Sequence, residues 1–379
     1  MSRNIMKFRK MRATTIWLYS VLVLCCIGSI IFVTHNYSLY ERPIAKVTSV
    51  EVTERTKATD VHNNEDELVS QQLVAVLQNG KNKGQSIELS NMYSTTGAYD
   101  QQYHVNNELF VSINEQDGDT SKLSGEVIDV KRDRYIVAIA WIFVFTLLII
   151  GRKKGLLSLA SFALNVMILS FALDLYIHDF SSSLLGIASI CILLFASTSL
   201  LLINGFTQKT YAAIGATLIG TFVSLGIASL VIWLTSGSGL HYEEMQFLSR
   251  PYQSVFLAGL FIGSLGAIMD VAITISSSLF ALYERNPDIT DSELRASGVD
   301  IGKDIMGTIT SILLLAYMSG SLPILILYLK NAAPLGFTLS INLSLEVARA
   351  LAGGIGVVLT IPIVLQTVLF FIRRRRAAS

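Results

Sequence analysis

A succession of apolar runs, each close to the roughly 20 residues that a helix needs to cross a bilayer, restricts what this chain can fold into. The runs cover residues 14–33, 135–151, 156–177, 184–203, 214–234, 255–275, 305–328 and 347–372. Inside hydrocarbon every backbone N–H and C=O must be satisfied by the segment itself, so runs of this kind cross as helices. The 52% hydrophobic share of the chain moves it from the globular average toward the same class. The expectation is an α-helical polytopic membrane protein with about eight transmembrane helices.

Basic residues orient it. Arg3, Lys7, Arg9, Lys10 and Arg12 precede the first run, Arg152, Lys153 and Lys154 follow the second, and Arg373, Arg374, Arg375 and Arg376 follow the last. Lysine and arginine collect on the cytoplasmic side of spans, which puts both termini in the cytoplasm of a cell whose plasma membrane the protein crosses. Lys330 and Arg349 run against this bias, and the rest of the distribution outweighs them. The first run is long for a signal peptide and lacks a small-x-small cleavage site after it, so it reads as an uncleaved anchor. The cations are gathered at span ends and the net charge is only +1, so no nucleic-acid partner is expected.

Between the first two runs the character changes. LVAVL at 73–77, SIEL at 86–89, ELFVSI at 108–113 and GEVIDV at 125–130 alternate as strands do. NGKNKG at 79–84 supplies glycines for a hairpin turn, and ATDVHNNED at 58–66 reads as a polar loop. The domain plan is therefore an anchor over 1–34, a small all-β extracytoplasmic barrel or sandwich over 35–134, a seven-helix membrane domain over 135–372 and a basic tail over 373–379.

One residue inside these spans is out of character. Asp270 interrupts the run at 255–275, where a carboxylate costs on the order of 3 kcal/mol and commonly serves ion or proton movement; the alternatives are that it reaches the headgroups at the cytoplasmic end or pairs with a neighbouring helix. A carboxyl kept from bulk water by a helical bundle binds and releases a proton near neutral pH, which is what coupling to a proton gradient requires. The following span would supply hydrogen-bonding partners in Thr308, Thr310, Ser311 and, deeper, Tyr317; ordinary interhelical packing accounts for each taken singly. Gly263, Gly266 and Gly320 are read as close-packing positions, and Gly353 and Gly354, with Gly356, as a packing face or a hinge.

The charged link from Tyr283 to Lys303 is cytoplasmic. Thr290 and Glu293 have capping-box spacing, and a short interfacial helix is expected to stop at Gly298. Asp300 and Asp304 share a helix face beside Lys303, and read as a solvated helix start rather than a metal site. Glu346 and Arg349, three apart, are expected to pair. Cys25, Cys26 and Cys191 all lie in apolar runs, and the histidines 35, 62, 104, 178 and 241 fit no ligand spacing, so no metal or other cofactor is implied. No GxSxG, HExxH, phosphate-binding loop or soluble carboxylate pair is present, and an enzyme is not expected.

GSLGAIMDVAITISS, NPDIT, SGVDIGKDIMGT and LLLAY, in that order, resemble the signature of the YibE/F-like family of bacterial multi-pass membrane proteins, and QKTYAAIGATLIGT and EEMQFL fit the same pattern. The resemblance covers roughly residues 134–379, with Ser311 near a position where an asparagine is expected. It implies a multi-pass membrane location and, because such proteins resemble parts of a two-component set, a second YibE/F-like protein or a further copy of this chain as partner. A looser similarity runs to Sec-associated D/F motor proteins and resistance-nodulation-division exporters, through MDVAIT, YER at 283–285, TITSILL and AGGIGVVLTIP. Together these readings lead to a transporter or export-assisting permease, with a non-transporting scaffold whose external domain binds an envelope partner as the alternative.

Overall fold

The computed structural model describes residues 20–61, 63–97, 100–114, 123–178, 183–245 and 251–378. The N-terminal basic cluster, the start of the first apolar run, His62 and Arg250 lie outside the described residues. Two compact units divide between Ile149 and Ile150.

The first unit is a barrel with helical ends. Helix α1 (Ser20–Leu39) finishes in a 3-10 turn and leads into β1 (Ile44–Thr59), β2 (Glu65–Leu77), β3 (Ser86–Ser94), β4 (Glu108–Asn114) and β5 (Leu123–Val130). The sheet closes in the order β1-β2-β3-β5-β4, with β3 and β5 parallel and every other pair antiparallel. A five-stranded Greek-key barrel of this kind is an OB-type architecture. Alternate residues point inward, so Leu73, Ala75 and Leu77 from β2 meet Ile87, Leu89, Leu109 and Val111, all closed to solvent. Gly80 and Gly84 turn the β2–β3 hairpin at positive φ, where the glycines of NGKNKG were expected to serve.

Strand β1 is not apparent from the sequence pattern. Its pairing with β2 shifts register between Val47 and Ser49 and again between Val52 and Glu54, and two bulges break the period-two alternation that marks a strand. Its outer half is exposed, which removes the apolar signal as well.

A buried cation ties the barrel to the ends of α1 and of α2 (Asp133–His178). The Lys131 side chain keeps 2% of its surface open; its ammonium donates to the Val33 carbonyl at 2.6 Å and lies 3.2 Å from the Asp133 carboxylate and 3.5 Å from that of Glu108. The hydroxyls of Tyr37 and Tyr40 donate to Glu108 and Asp133 at 2.6 Å each. Asn79 completes the joint, accepting from Ile44 N–H and donating to the carbonyls of Tyr37, Tyr40 and Arg42. Replacing Lys131 with methionine leaves two carboxylates without their cation. Removing one partner of a buried pair costs about 3–5 kcal/mol, and the exposure of both acids, 22% and 21%, brings the expectation to about 2–3 kcal/mol. Limited proteolysis of the 35–134 region should accelerate accordingly, and Lys131→Met that resists protease as the wild type does would refute this joint.

In the second unit, α5 (Tyr252–Arg285) is the central helix, touching α3 (Leu184–Asn204), α4 (Gln208–Thr235), α6 (Asp291–Ser319) and α8 (Leu335–Ala378). Ile268, Val271, Ala272, Ile275 and Leu279 from α5 form the core with Ala212, Ala213 and Ala216 of α4 and Val357, Val364 and Val368 of α8. Helices α4 and α8 approach closely because small residues face each other: Gly220 lies beneath Thr360, and a Cβ on Gly356 would stand 2.7 Å from Ile268 and 2.9 Å from Ser224. Ser224 Oγ donates to the Ala352 carbonyl at 2.8 Å across the crossing.

Several helix limits differ from those expected. Residues 135–151 and 156–177 form the single 46-residue element α2, broken only at Arg152, whose φ of 47° and ψ of −123° are non-helical. Helix α6 does not stop at Gly298. The Thr290–Glu293 capping box opens it as expected, but the helix then runs through to Ser319, and Gly298 admits the Leu365 and Leu279 side chains instead of ending the turn. Beyond Ser319 the chain bends by 55° into α7 (Leu322–Lys330), with Gly320 and Ser321 at the break and Pro323 just after it. Gly320 is thus a bend, with nothing but the Tyr317 carbonyl within 4 Å of a would-be Cβ, rather than a packing contact. By length and composition six helices can cross a membrane, or seven when the bent α6–α7 pair counts as one span, among the described residues.

Candidate functional site

Helix α5 buries most of its circumference, and what it leaves open is unusual. The exposed positions Gly259, Gly263, Gly266, Asp270, Thr274 and Ala281 recur at intervals of three, four or seven, one continuous stripe on a 3.6-residue helix. Between Tyr252 and the end of α5 no large apolar side chain is exposed. The other long helices present such residues outward: Ile190, Leu193 and Leu194 on α3; Ile219, Phe222 and Leu230 on α4; Ile312 and Leu315 on α6; Leu351, Ile355 and Phe370 on α8. A face meant for acyl chains carries side chains of that kind. The α5 stripe carries glycine, alanine, threonine and a carboxylate.

Asp270 sits in the middle of that stripe, about 27 Å along the helix from Tyr252 at 1.5 Å per residue. Its carboxyl is exposed and has no hydrogen-bond or ion-pair partner among the described residues. Enclosure by the bundle, expected from the sequence, is therefore not what the fold provides: the α5 faces turned to α3, α4 and α8 are filled by Ile268, Val271, Ala272 and Ile275, and Asp270 falls on the side left over.

The proposed partners divide. Tyr317 reaches α5, its hydroxyl packed against Gly263, buried and without a hydrogen-bond partner. Gly263 is on the Asp270 stripe, two turns or about 10 Å toward the N-terminal end of α5. Thr310 turns to α8, where a Cβ on Gly354 would lie 3.0 Å from its methyl group. Thr308 and Ser311 are exposed on the outer face of α6, and the Ser311 hydroxyl donates to the Gly307 carbonyl of its own helix at 2.8 Å. None of the four hydroxyls bonds Asp270 among the described residues. Gly266 has nothing within 4 Å of a would-be Cβ and is an open stripe position, whereas Gly353 packs against Ser264 and Leu313 and, with Gly354, lies in unbroken helix.

The charged candidates are settled by neighbours. Asp300 and Lys303 pair loosely at 3.7 Å on an exposed face, and Asp304 is likewise exposed; no group of acids, histidines and cysteines that could hold a metal exists among the described residues. Glu346 and Arg349 do pair, at 2.5 Å, and the guanidinium also stacks over Phe256. At the other end of α8, Arg373 and Arg376 grip Asp291 of the capping turn at 2.6 and 2.8 Å. Of these features the stripe as a unit escaped the sequence reading, although Gly259 and Thr274 share the helical phase of Asp270 and that phase was open to inspection.

The profile of the YibE/F-like protein family matches residues 139–374, and that of the YibE/F family N-terminal domain matches residues 38–130. The chain belongs to the YibE/F-like family. The two matches divide it where the barrel gives way to the helices, so the OB-type barrel is the family's N-terminal domain and α2–α8 its helical part. No curated protein and no solved structure matches it significantly.

Proposed function

We propose that this YibE/F-like protein is a transporter or export-assisting permease of the plasma membrane, in which Asp270, open to a water-filled path rather than enclosed by the bundle, is the group that handles the protons or ions that move. The observation that carries the reading is the α5 stripe: a carboxylate without partners among the described residues, flanked by small and polar residues on a helix that beyond Tyr252 shows no large apolar side chain outward. Such a face is suited to a water-filled path, where an ionisable residue at membrane depth meets the ions or protons it handles. The unpartnered Tyr317 hydroxyl adds a polar group beside the same face.

The topology that goes with this has eight crossings. The seven candidate spans become eight when α2 is divided at Arg152, since 46 residues of helix extend about 69 Å, more than twice the thickness of the hydrocarbon core. Both termini are then cytoplasmic and the barrel external. The test is a deletion strain complemented with wild-type protein, with Asp270→Asn, or with a chain lacking residues 35–134, each profiled for the solutes that leave or accumulate. Wild-type profiles from Asp270→Asn, with the truncated chain inactive, would favour a scaffold that acts through its barrel.

A further inference from the structure

We infer that the second unit binds a phosphate-bearing ligand, the headgroup of an anionic phospholipid or free phosphate, in a cleft at the end of the bundle where α4 begins and α5 and α8 finish. The cleft measures about 500 Å³, within the usual range for small-molecule sites. Its polar lining is Thr207, whose hydroxyl is bonded to that of Thr210, together with Gln208 and Lys209 from the first turn of α4, Ser277 and Glu284 from α5, and Arg375 from α8, over a floor that includes Phe280. Arg375 and Glu284 face each other loosely at 3.7 Å, both half-exposed, and the two charges offset. Lys209 then leaves the lining with one net positive charge. Gln208, Lys209 and Ser277 have no side-chain hydrogen-bond or ion-pair partner among the described residues, so an ammonium, an amide and a hydroxyl all remain available to an oxyanion.

The position of the cleft favours an amphipathic occupant. It lies where the apolar stretch of α4 starts, next to Phe206, whose ring is 78% exposed. It also adjoins the basic end of α8, where Arg373 and Arg376 are already engaged by Asp291 and leave the cleft its own arrangement of charge. A phosphodiester could sit against Lys209 while acyl chains run along the exposed Phe206 side. The inference rests on the chain lying in a membrane, as proposed above, and is independent of transport through the Asp270 stripe.

Native mass spectrometry of the full-length protein in detergent tests it, with phosphatidylglycerol, phosphatidylcholine of the same chain length, and inorganic phosphate titrated separately. Wild-type protein should prefer phosphatidylglycerol over phosphatidylcholine. Lys209→Gln should weaken phosphatidylglycerol binding about fivefold, the effect of one lysine at an anionic lipid surface, and Lys209→Arg should retain it. Lys303→Gln, which removes an exposed cation outside the cleft, should change nothing. If Lys209→Gln weakens inorganic phosphate and not the lipid, the site stands with free phosphate as its occupant. Equal binding of both probes by wild type and Lys209→Gln, or an equal loss in Lys303→Gln, would overturn the assignment; neither result touches the Asp270 proposal, which is read from solute profiles.

Discussion

Asp270→Asn is expected to reduce transport to the level of the deletion strain while leaving the protein folded and abundant. The substitution keeps size and shape and removes the carboxylate. Because the side chain is exposed and no described residue depends on it for a hydrogen bond, nothing buried loses a partner. A surface change of this sort alters stability by no more than about 0.5 kcal/mol, so loss of activity in a well-expressed variant reports on chemistry rather than folding. Asp270→Glu, which keeps the carboxyl and moves it by one methylene, should retain part of the activity. Solute profiles are the measurement, with membrane abundance determined in parallel; a fully active Asp270→Asn would remove proton coupling from this position.

The second large effect is on stability. Gly356→Leu should lower the unfolding temperature of the detergent-purified protein by roughly 6–12 °C, as expected for about 3 kcal/mol in a unit of this size. Its Cβ alone would press on Ile268 at 2.7 Å and Ser224 at 2.9 Å, both buried, and overpacking of that kind costs about 1–3 kcal/mol. Forcing α4 and α8 apart would also break the Ser224 to Ala352 hydrogen bond, worth about 1 kcal/mol. Gly266→Leu is the matched control. No atom lies within 4 Å of its would-be Cβ, so its unfolding temperature should stay near wild type. Equal melting of the two variants would mean that the α4–α8 crossing is not the close contact described.

These two glycines show what a sequence can and cannot disclose in such a chain. Hydropathy and charge at the run ends, four of five strands, the β2–β3 hairpin, the capping box and the Glu346–Arg349 pair all follow from local rules, because each depends on residues near one another in sequence. Gly266, Gly298, Gly320 and Gly356 look alike in one dimension, yet one is open, one admits leucines, one marks a bend and one sits in a helix crossing; only neighbours from other helices tell them apart. The same holds for Asp270. Its residue type and depth marked it as a site, but whether it points into the bundle depends on which α5 face α3, α4 and α8 cover. Lys131 is hidden for a related reason: Asp133 is near it in sequence, but Val33 and Glu108, which complete its burial, are far away in the chain, and a lysine at the end of a strand gives no sign of burial.

The central claim is that the Asp270 stripe faces water. Cysteine accessibility tests it most directly, in a background with Cys25, Cys26 and Cys191 replaced. Gly266→Cys and Thr274→Cys should react with a water-soluble maleimide roughly tenfold or more faster than Leu193→Cys and Ile219→Cys on the apolar outer faces, because a thiol among acyl chains neither meets the reagent nor ionises. Stripe cysteines as unreactive as those two would contradict the account, and would place the stripe against lipid or beneath another chain.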